Sequence, residues 1–274
     1  MEIVQTKPRL FVTDLDGTFL GADGELSEIN LEAVHQANAA GVPTVIATGR
    51  PLRILDVIEP LREFNPLLIS CNGAIIKRLA DDELLHVQAV DSSLALAVAA
   101  QLRDELGERI SFAVEYPYGW AREASYVANP HFADADLITD VEQALSAGQP
   151  VVKLLVQGKQ LPTNVLDELA SPIANDRLTT TYSSITEDGL IEIGAPGVSK
   201  ASALQQILDD LNIPADEVAA FGDMPNDLEM LQLVGMPYRM DECHHALEVA
   251  GFPSAGSNAD SGVGRSMLDL LAVN

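Results

Sequence analysis

Residues 9–20 read RLFVTDLDGTFL. Leu10 to Val12 carry apolar, strand-favouring side chains and predict a short buried strand. That strand runs straight into Asp14, Asp16, Gly17 and Thr18. In an extended chain, residues two apart project to the same side, so Asp14 and Asp16 are expected to share one crevice at the strand's carboxyl end. Open α/β sheets place their ligands there. A polar turn is the plain alternative, because Asp-Gly is a common turn pair and Thr18 suits it. At about 6% per residue type, the four positions of D-x-D-G-T arise by chance in roughly one chain of this length in 300. Partners elsewhere in the chain therefore decide between the two readings.

Outward from that strand, apolar and amphipathic stretches alternate. SEINLEAVHQANAAG (27–41) predicts a helix, with Ser27 as N-cap, Ile29, Ala33, Ala37 and Ala40 at helical spacing and Gly41 past the end. PTVIA (43–47) and PLLIS (66–70) read as parallel strands covered on both faces. Between them, RPLRILDVIEPLREF predicts a helix opened by Pro51. The same rhythm returns at the far end: SKASALQQILDDLNI helical, EVAAFG a buried strand, NDLEMLQLV helical, then a last amphipathic helix. This alternation predicts an α/β fold with a doubly wound, mostly parallel, Rossmann-like core sheet built from both termini.

The middle differs. A helix near 92–106 precedes the strand-like runs RISFAVEY and WAREASYV, and a helix near 162–170 precedes RLTTTYSS and GLIEIG. One short helix and the strand VVKLLVQ lie between. A helix–strand–strand unit occurring twice predicts a separate α+β domain over 84–190, inserted between core segments 1–83 and 191–274.

Three further stretches supply partners for the acidic pair. VIATGRP puts Thr48, Gly49 and Arg50 after the second strand, where a hydroxyl and exposed amides form a small phosphate-binding corner. A strand-to-helix turn capped by Thr48 is the simpler reading of the same residues. GVSK puts Lys200 in the first turn of a helix, where its charge opposes the helix dipole, so a fixed cation aimed at an anion explains it better. FGDMPND puts Asp223 directly after a buried strand, with Asn226 and Asp227 opening the next helix. Asp14, Asp16, Asp223 and Asp227 would then crowd one crevice and push some of their pKa values up. Mg²⁺, which takes oxygen ligands, relieves this.

Composition sets limits on partners. With 41 acidic and 16 basic residues the net charge is −25, and the excess grows after residue 80. Such a surface repels nucleic-acid backbones and anionic membranes, so neither is an expected partner. It also repels phosphorylated metabolites unless the site concentrates positive charge, which Mg²⁺ and Lys200 would supply. The longest apolar run, LALAVAA at 94–100, falls far short of a membrane span. No signal-peptide layout opens the chain, and two cysteines cannot make a disulfide framework, so a cytoplasmic location is expected.

DLDGT, TGR, the isolated Lys200 and GDMPND, in that order, resemble the four motifs of the haloacid dehalogenase-like phosphatase superfamily. CNGA (71–74), GVSK and SNADSGVG (257–264) are similar to its Cof-type branch, which carries an α+β cap between motifs two and three. The resemblance implies that Asp14 attacks phosphorus to form an aspartyl-phosphate and that Asp16 serves as acid and then base. It implies that Asp14, the backbone carbonyl of Asp16, and Asp223 hold Mg²⁺, with Asp227 in support. Thr48, Lys200 and Asn226 would position phosphoryl oxygens, and Gly49, Arg50 and Asn72 would approach the substrate. Asn72-Gly73 is equally a hairpin-turn signal. Two departures stand out: Ala201 replaces the usual glycine after the lysine, and MDECHH (240–245) replaces a Met-Gly-Asn-Ala stretch. Cys243, His244 and His245 are adjacent and cannot all face one ion, so a loop or helix start is expected there.

The expected activity is hydrolysis of a small phosphomonoester, with a sugar phosphate as one candidate. A phosphomutase with the same aspartyl chemistry and a non-hydrolytic phosphoacceptor signalling domain are the alternatives. The family's cap sets specificity, and EYPYGWAREASYV (115–127) holds the single tryptophan and three of five tyrosines. An aromatic hairpin packing its own domain is the favoured reading over a substrate platform. Arg122 and Glu123 are candidate contacts to a polar leaving group.

Overall fold

A computed structural model describes residues 7–128, 137–174, 177–182 and 184–273. In chain order the first elements are β1 (Leu10–Thr13), α1 (Glu28–Ala39), β2 (Thr44–Ala47), β3 (Leu67–Ser70), β4 (Ile75–Arg78) and β5 (Leu84–Val87). There follow α2 (Ser92–Leu106), β6 (Ile110–Tyr116), β7 (Gly119–Arg122), β8 (Leu137–Ile138), α3 (Val141–Leu145), β9 (Lys153–Gly158), α4 (Thr163–Ala174), β10 (Thr179–Thr181) and β11 (Leu190–Gly194). The last stretch holds α5 (Lys200–Leu211), β12 (Val218–Gly222), α6 (Leu228–Leu233), β13 (Met236–Arg239), α7 (His245–Ala250) and α8 (Gly262–Leu271). Two compact units divide the chain. One comprises residues 1–50, 55–85 and 199–274, the other 51–54 and 86–198. No helix among the described residues is long and apolar enough to cross a membrane.

In the first unit a seven-stranded sheet runs β13-β12-β1-β2-β3-β4-β5. β13, β12, β1, β2 and β3 are mutually parallel, and β4 returns antiparallel to β3. From β1 the chain proceeds to β2 and β3 on one side, and only later fills β12 and β13 on the other. The switch in winding direction therefore falls at β1, where such sheets open a ligand crevice. All four β1 residues are buried, as a strand covered on both faces requires. Leu10 and Val12 pack with Leu204 and Ile207 of α5 and with Met230 and Leu231 of α6. Ser27 caps α1 as expected, its side chain accepting from the Asn30 amide.

The stretch after Pro51 departs from the expected helix. It forms two 3₁₀ segments, Leu52–Ile54 and Asp56–Phe64, with Pro60 inside the second. Proline lacks the N–H for an i→i−4 bond and clashes with the preceding turn, so the tighter i→i+3 winding replaces an α-helix. Strands β5 and β13 were not expected; each is four residues long, and MPYR in β13 carries no strong strand pattern.

The second unit is a six-stranded sheet, β10-β11-β9-β6-β7-β8, antiparallel apart from the β7–β8 pair. Ala113 sits opposite Leu155, and these two cluster with Trp120 and Tyr126 on one face. Trp120 meets Tyr126 edge-on, with centroids 6.0 Å apart. Tyr116 Oη donates to the Ala144 carbonyl at 2.7 Å, whereas Tyr118 is exposed. The aromatic stretch thus packs its own unit. Glu123 is committed to Arg103 at 2.6 Å and accepts from the Phe112 amide, and Arg122 donates to the Tyr126 carbonyl, so both brace the hairpin.

Candidate active site

β1 stops at Thr13, and its neighbours β2 and β12 end at Ala47 and Gly222, so the residues that follow each strand meet at one sheet edge. Asp14 is buried, and its amide donates to the Phe221 carbonyl of β12 at 2.9 Å. Lys200, also buried, reaches the same edge from the first turn of α5. Its Nζ donates to Asp14 Oδ1 at 2.5 Å and to Asp227 Oδ1 at 2.6 Å. Ser199 caps that helix through a reciprocal bond pattern with Ser202, which fixes where the lysine stem starts.

Asp227 also organises its own turn. Its Oδ2 accepts from the amides of Asp223 and Met224 at 3.1 and 3.0 Å. Asp223 in turn accepts from Thr18 Oγ1 at 2.7 Å. Gly17 makes that approach possible: its φ is +77°, and a Cβ there would lie 2.6 Å from Asp223 Oδ2. Thr18, read from sequence only as a turn residue, is fully buried and belongs to the site. Its place in the D-x-D-G-T stretch was the available signal.

One carboxylate oxygen from each of Asp14, Asp223 and Asp227 lies within 4.8 Å of the other two, and all three residues are buried. Three acidic groups thus share one buried ammonium. Burial lifts the Asp14 carboxyl well above the ordinary range; Lys200 opposes this, while Asp227 and Asp223 add to it. Burial and then the Asp227 charge push Asp223 up to about 6. Burial works against the Lys200 ammonium as well, but Asp14 and Asp227 outweigh it and hold its pKa above the usual lysine range. An all-oxygen donor set with surplus negative charge suits a hard divalent cation.

The Asp16 carboxylate is not in that cluster, contrary to the expectation from strand alternation. The chain leaves the strand at Thr13 and enters a wide turn over Leu15–Phe19, with Asp16 at φ −81°, ψ 125° and Gly17 left-handed. Alternation ends with the strand, so it does not set where the Asp16 side chain lies. Asp16 pairs instead with Arg50: Nε to Oδ2 at 2.8 Å and Nη2 to Oδ1 at 2.5 Å.

The remaining expected residues form a linked rim. Thr48 Oγ1 accepts from the Arg50 amide at 3.0 Å, the local turn bond that the simpler reading required. A hydroxyl that accepts there still has its own proton to donate. The Thr48 carbonyl accepts from the Asn72 amide at 3.1 Å. Asn226 Nδ2 donates to Asn72 Oδ1 at 3.0 Å, and a Cβ on Gly49 would come 3.1 Å from the same oxygen. Asn72-Gly73 does turn a hairpin, between β3 and β4. It also presses on the start of α5, since a Cβ on Gly73 would lie 2.2 Å from the Ser199 carbonyl oxygen. His244 caps α7 and its amide donates to the Asp223 carbonyl at 2.7 Å, so the MDECHH segment is a helix start.

A haloacid dehalogenase-like hydrolase profile matches residues 11–267. The 5-amino-6-(5-phospho-D-ribitylamino)uracil phosphatase YitU of Bacillus subtilis is 28% identical over 98% of this chain and 100% of its own length. The HMP-PP phosphatase of Cronobacter sakazakii is 30% identical over 83% of this chain and 82% of its own. Among solved structures, SMU.1108c from Streptococcus mutans superposes with a TM-score of 0.84 at 23% identity, over 97% of this chain and 99% of that one. The subclass IIB sugar phosphatase BT4131 gives 0.80 at 19% identity, over 95% and 98%. Those two likenesses speak for the fold. The profile match runs from the first core strand to the last helix, and the chain therefore belongs to the haloacid dehalogenase-like hydrolases.

Proposed function

We propose that this hydrolase is a Mg²⁺-dependent phosphatase that cleaves small phosphomonoesters through an aspartyl-phosphate. The observation that carries the reading is Asp14, held by Lys200 beyond the switch-point strand with Asp223 and Asp227 beside it. The named relatives act on a phosphorylated ribitylaminouracil, on HMP-PP and, for one structural neighbour, on sugar phosphates. Their shared class, a small polar metabolite carrying phosphate, is the class proposed for this chain.

Asp14, the Asp16 carbonyl and Asp223 would hold Mg²⁺, supported by Asp227, and the ion would supply the positive charge that phosphoryl oxygens need. Lys200 fixes the Asp14 carboxylate and adds charge of the same sign. An Asp14 oxygen bonds to phosphorus while the bond from phosphorus to the leaving oxygen breaks. Asp16 gives that oxygen its proton, releasing an alcohol. Asp16 then takes a proton from water as the water oxygen bonds to phosphorus and the Asp14–phosphorus bond breaks. Inorganic phosphate departs and both aspartates return to their starting forms. Thr48, Lys200 and Asn226 are the proposed contacts to phosphoryl oxygens.

Hydrolysis of p-nitrophenyl phosphate tests this. Activity is expected with Mg²⁺, to vanish with a chelator, and to fall at least about 10³-fold in Asp14→Asn. Turnover that survives either change overturns the proposal.

A further inference from the structure

Arg50, expected to approach the substrate, reaches Asp16 with its guanidinium. Two bonds go to Asp16, Nε to one carboxylate oxygen at 2.8 Å and Nη2 to the other at 2.5 Å. Its backbone is pinned as well. The amide donates to Thr48 Oγ1 at 3.0 Å, and the carbonyl accepts from Ser70 Oγ at 2.6 Å and from the Cys71 amide at 3.1 Å. The arginine stem is therefore anchored to the ends of β2 and β3, and its planar fork reaches across to the turn after β1.

A two-point fork fixes a carboxylate in position and in plane, which a single bond or a bare charge does not. Stability gives little reason for the pair. The Asp16 side chain is 55% exposed, and half-exposed ion pairs contribute little to folding. Asp16 also needs outside help, because its turn leaves the carboxylate outside the buried cluster that orients Asp14, Asp223 and Asp227. Proton transfer to a leaving oxygen demands placement within hydrogen-bond reach, and a half-exposed aspartate on a turn does not have that from its backbone alone.

We infer that Arg50 is a positioning residue for Asp16, rather than a grip on the substrate. Its contribution is to proton transfer at the leaving group. The inference rests on the phosphatase reading above, in which Asp16 is the acid. The guanidinium has donors beyond these two, so it is the two-point geometry of the pair that assigns Arg50 to Asp16.

The two roles separate on a shape-matched pair of esters. p-Nitrophenyl phosphate releases a stable phenolate and needs little help from an acid, whereas phenyl phosphate needs more. In the full-length protein with Mg²⁺, Arg50→Ala is expected to lower kcat/KM for phenyl phosphate about tenfold more than for p-nitrophenyl phosphate, a fraction of the range that acid catalysis spans. Arg50→Lys keeps the charge without the fork and is expected to show the same loss of selectivity in milder form. Equal falls on both esters overturn the inference, whether or not the melting temperature drops. Full recovery in Arg50→Lys overturns it too, because a charge alone would then suffice. Asp14→Asn separates the inference from its premise: residual turnover there defeats the phosphatase reading, whereas an inactive Asp14→Asn with equal ester effects in Arg50→Ala defeats the positioning role alone.

Discussion

Two buried groups of charges in this chain are built on opposite balances. Among the described residues of the second unit, the buried charges are paired one to one. Arg53 makes a two-point contact with Glu115 at 3.1 and 2.7 Å, and Lys153 meets Glu192 at 2.8 Å. Arg53 also lies over the Trp120 ring at 4.2 Å. At the carboxyl end of β1 the count is uneven, with Asp14, Asp223 and Asp227 around Lys200. Both groups are largely buried, so the difference lies in stoichiometry. The balanced set can be complete as the chain folds, whereas the uneven set carries surplus negative charge that a bound cation would balance. Surplus charge of one sign is therefore a sharper pointer to a candidate site than buried charge alone.

Breaking the balanced set is expected to give the largest effect on stability. Lys153→Met strands Glu192, whose side chain is 10% exposed, and should cost about 3 kcal/mol in denaturant unfolding. Replacing both partners, as Lys153→Met with Glu192→Leu, should recover most of that loss, as a double-mutant cycle would read. Asp14→Asn, which removes one surplus charge from the uneven set, should leave the metal-free protein at least as stable as the wild type. A loss comparable to that of Lys153→Met would erase the distinction between the two groups.

The next effect is a pH slope. Asp223 holds its proton up to about 6 in the folded chain, against an ordinary 3.8. Between those values the folded state binds more protons than the unfolded state, so stability from this group is present below the window and lost as pH rises through it. Wild type in chelator is therefore expected to lose melting temperature relative to Asp223→Asn as pH rises from 4 to 6. Mg²⁺ should remove the difference. A flat comparison would mean that the cluster is balanced by groups other than a cation.

The smallest effect belongs to Thr18→Val, which removes the hydroxyl that orients Asp223 while keeping its volume. Loss of such an outer support lowers metal affinity about tenfold. Mg²⁺ titrations of melting temperature would show it, and an unchanged midpoint would remove Thr18 from the site.

Much of the fold was legible because its signals are local. Buried runs ending at Thr13, Ala47 and Gly222 marked the strands, and Ser27 marked a helix start through its bond to the amide three residues on. The carboxylates and the lysine stood out because each follows a strand or opposes a helix dipole. The partner of Asp16 was not legible, because the strand ends at Thr13 and a turn, not strand alternation, carries that side chain. The α-helix expected after Pro51 gives way to 3₁₀ winding because Pro60 stands inside it.

Sequence alone determined where strands end, which helices are capped and which reactive groups stand at those ends, because each depends on neighbours a few bonds away. Tertiary structure alone decided the pairings: Thr18 with Asp223, Arg50 with Asp16, Arg53 with Glu115, and one lysine shared by Asp14 and Asp227. These partners are separated by 27 to 205 residues, and only the winding of the sheets sets the few ångströms between them. Electrostatic strength depends on that separation and on burial, and neither is written in the order of the residues.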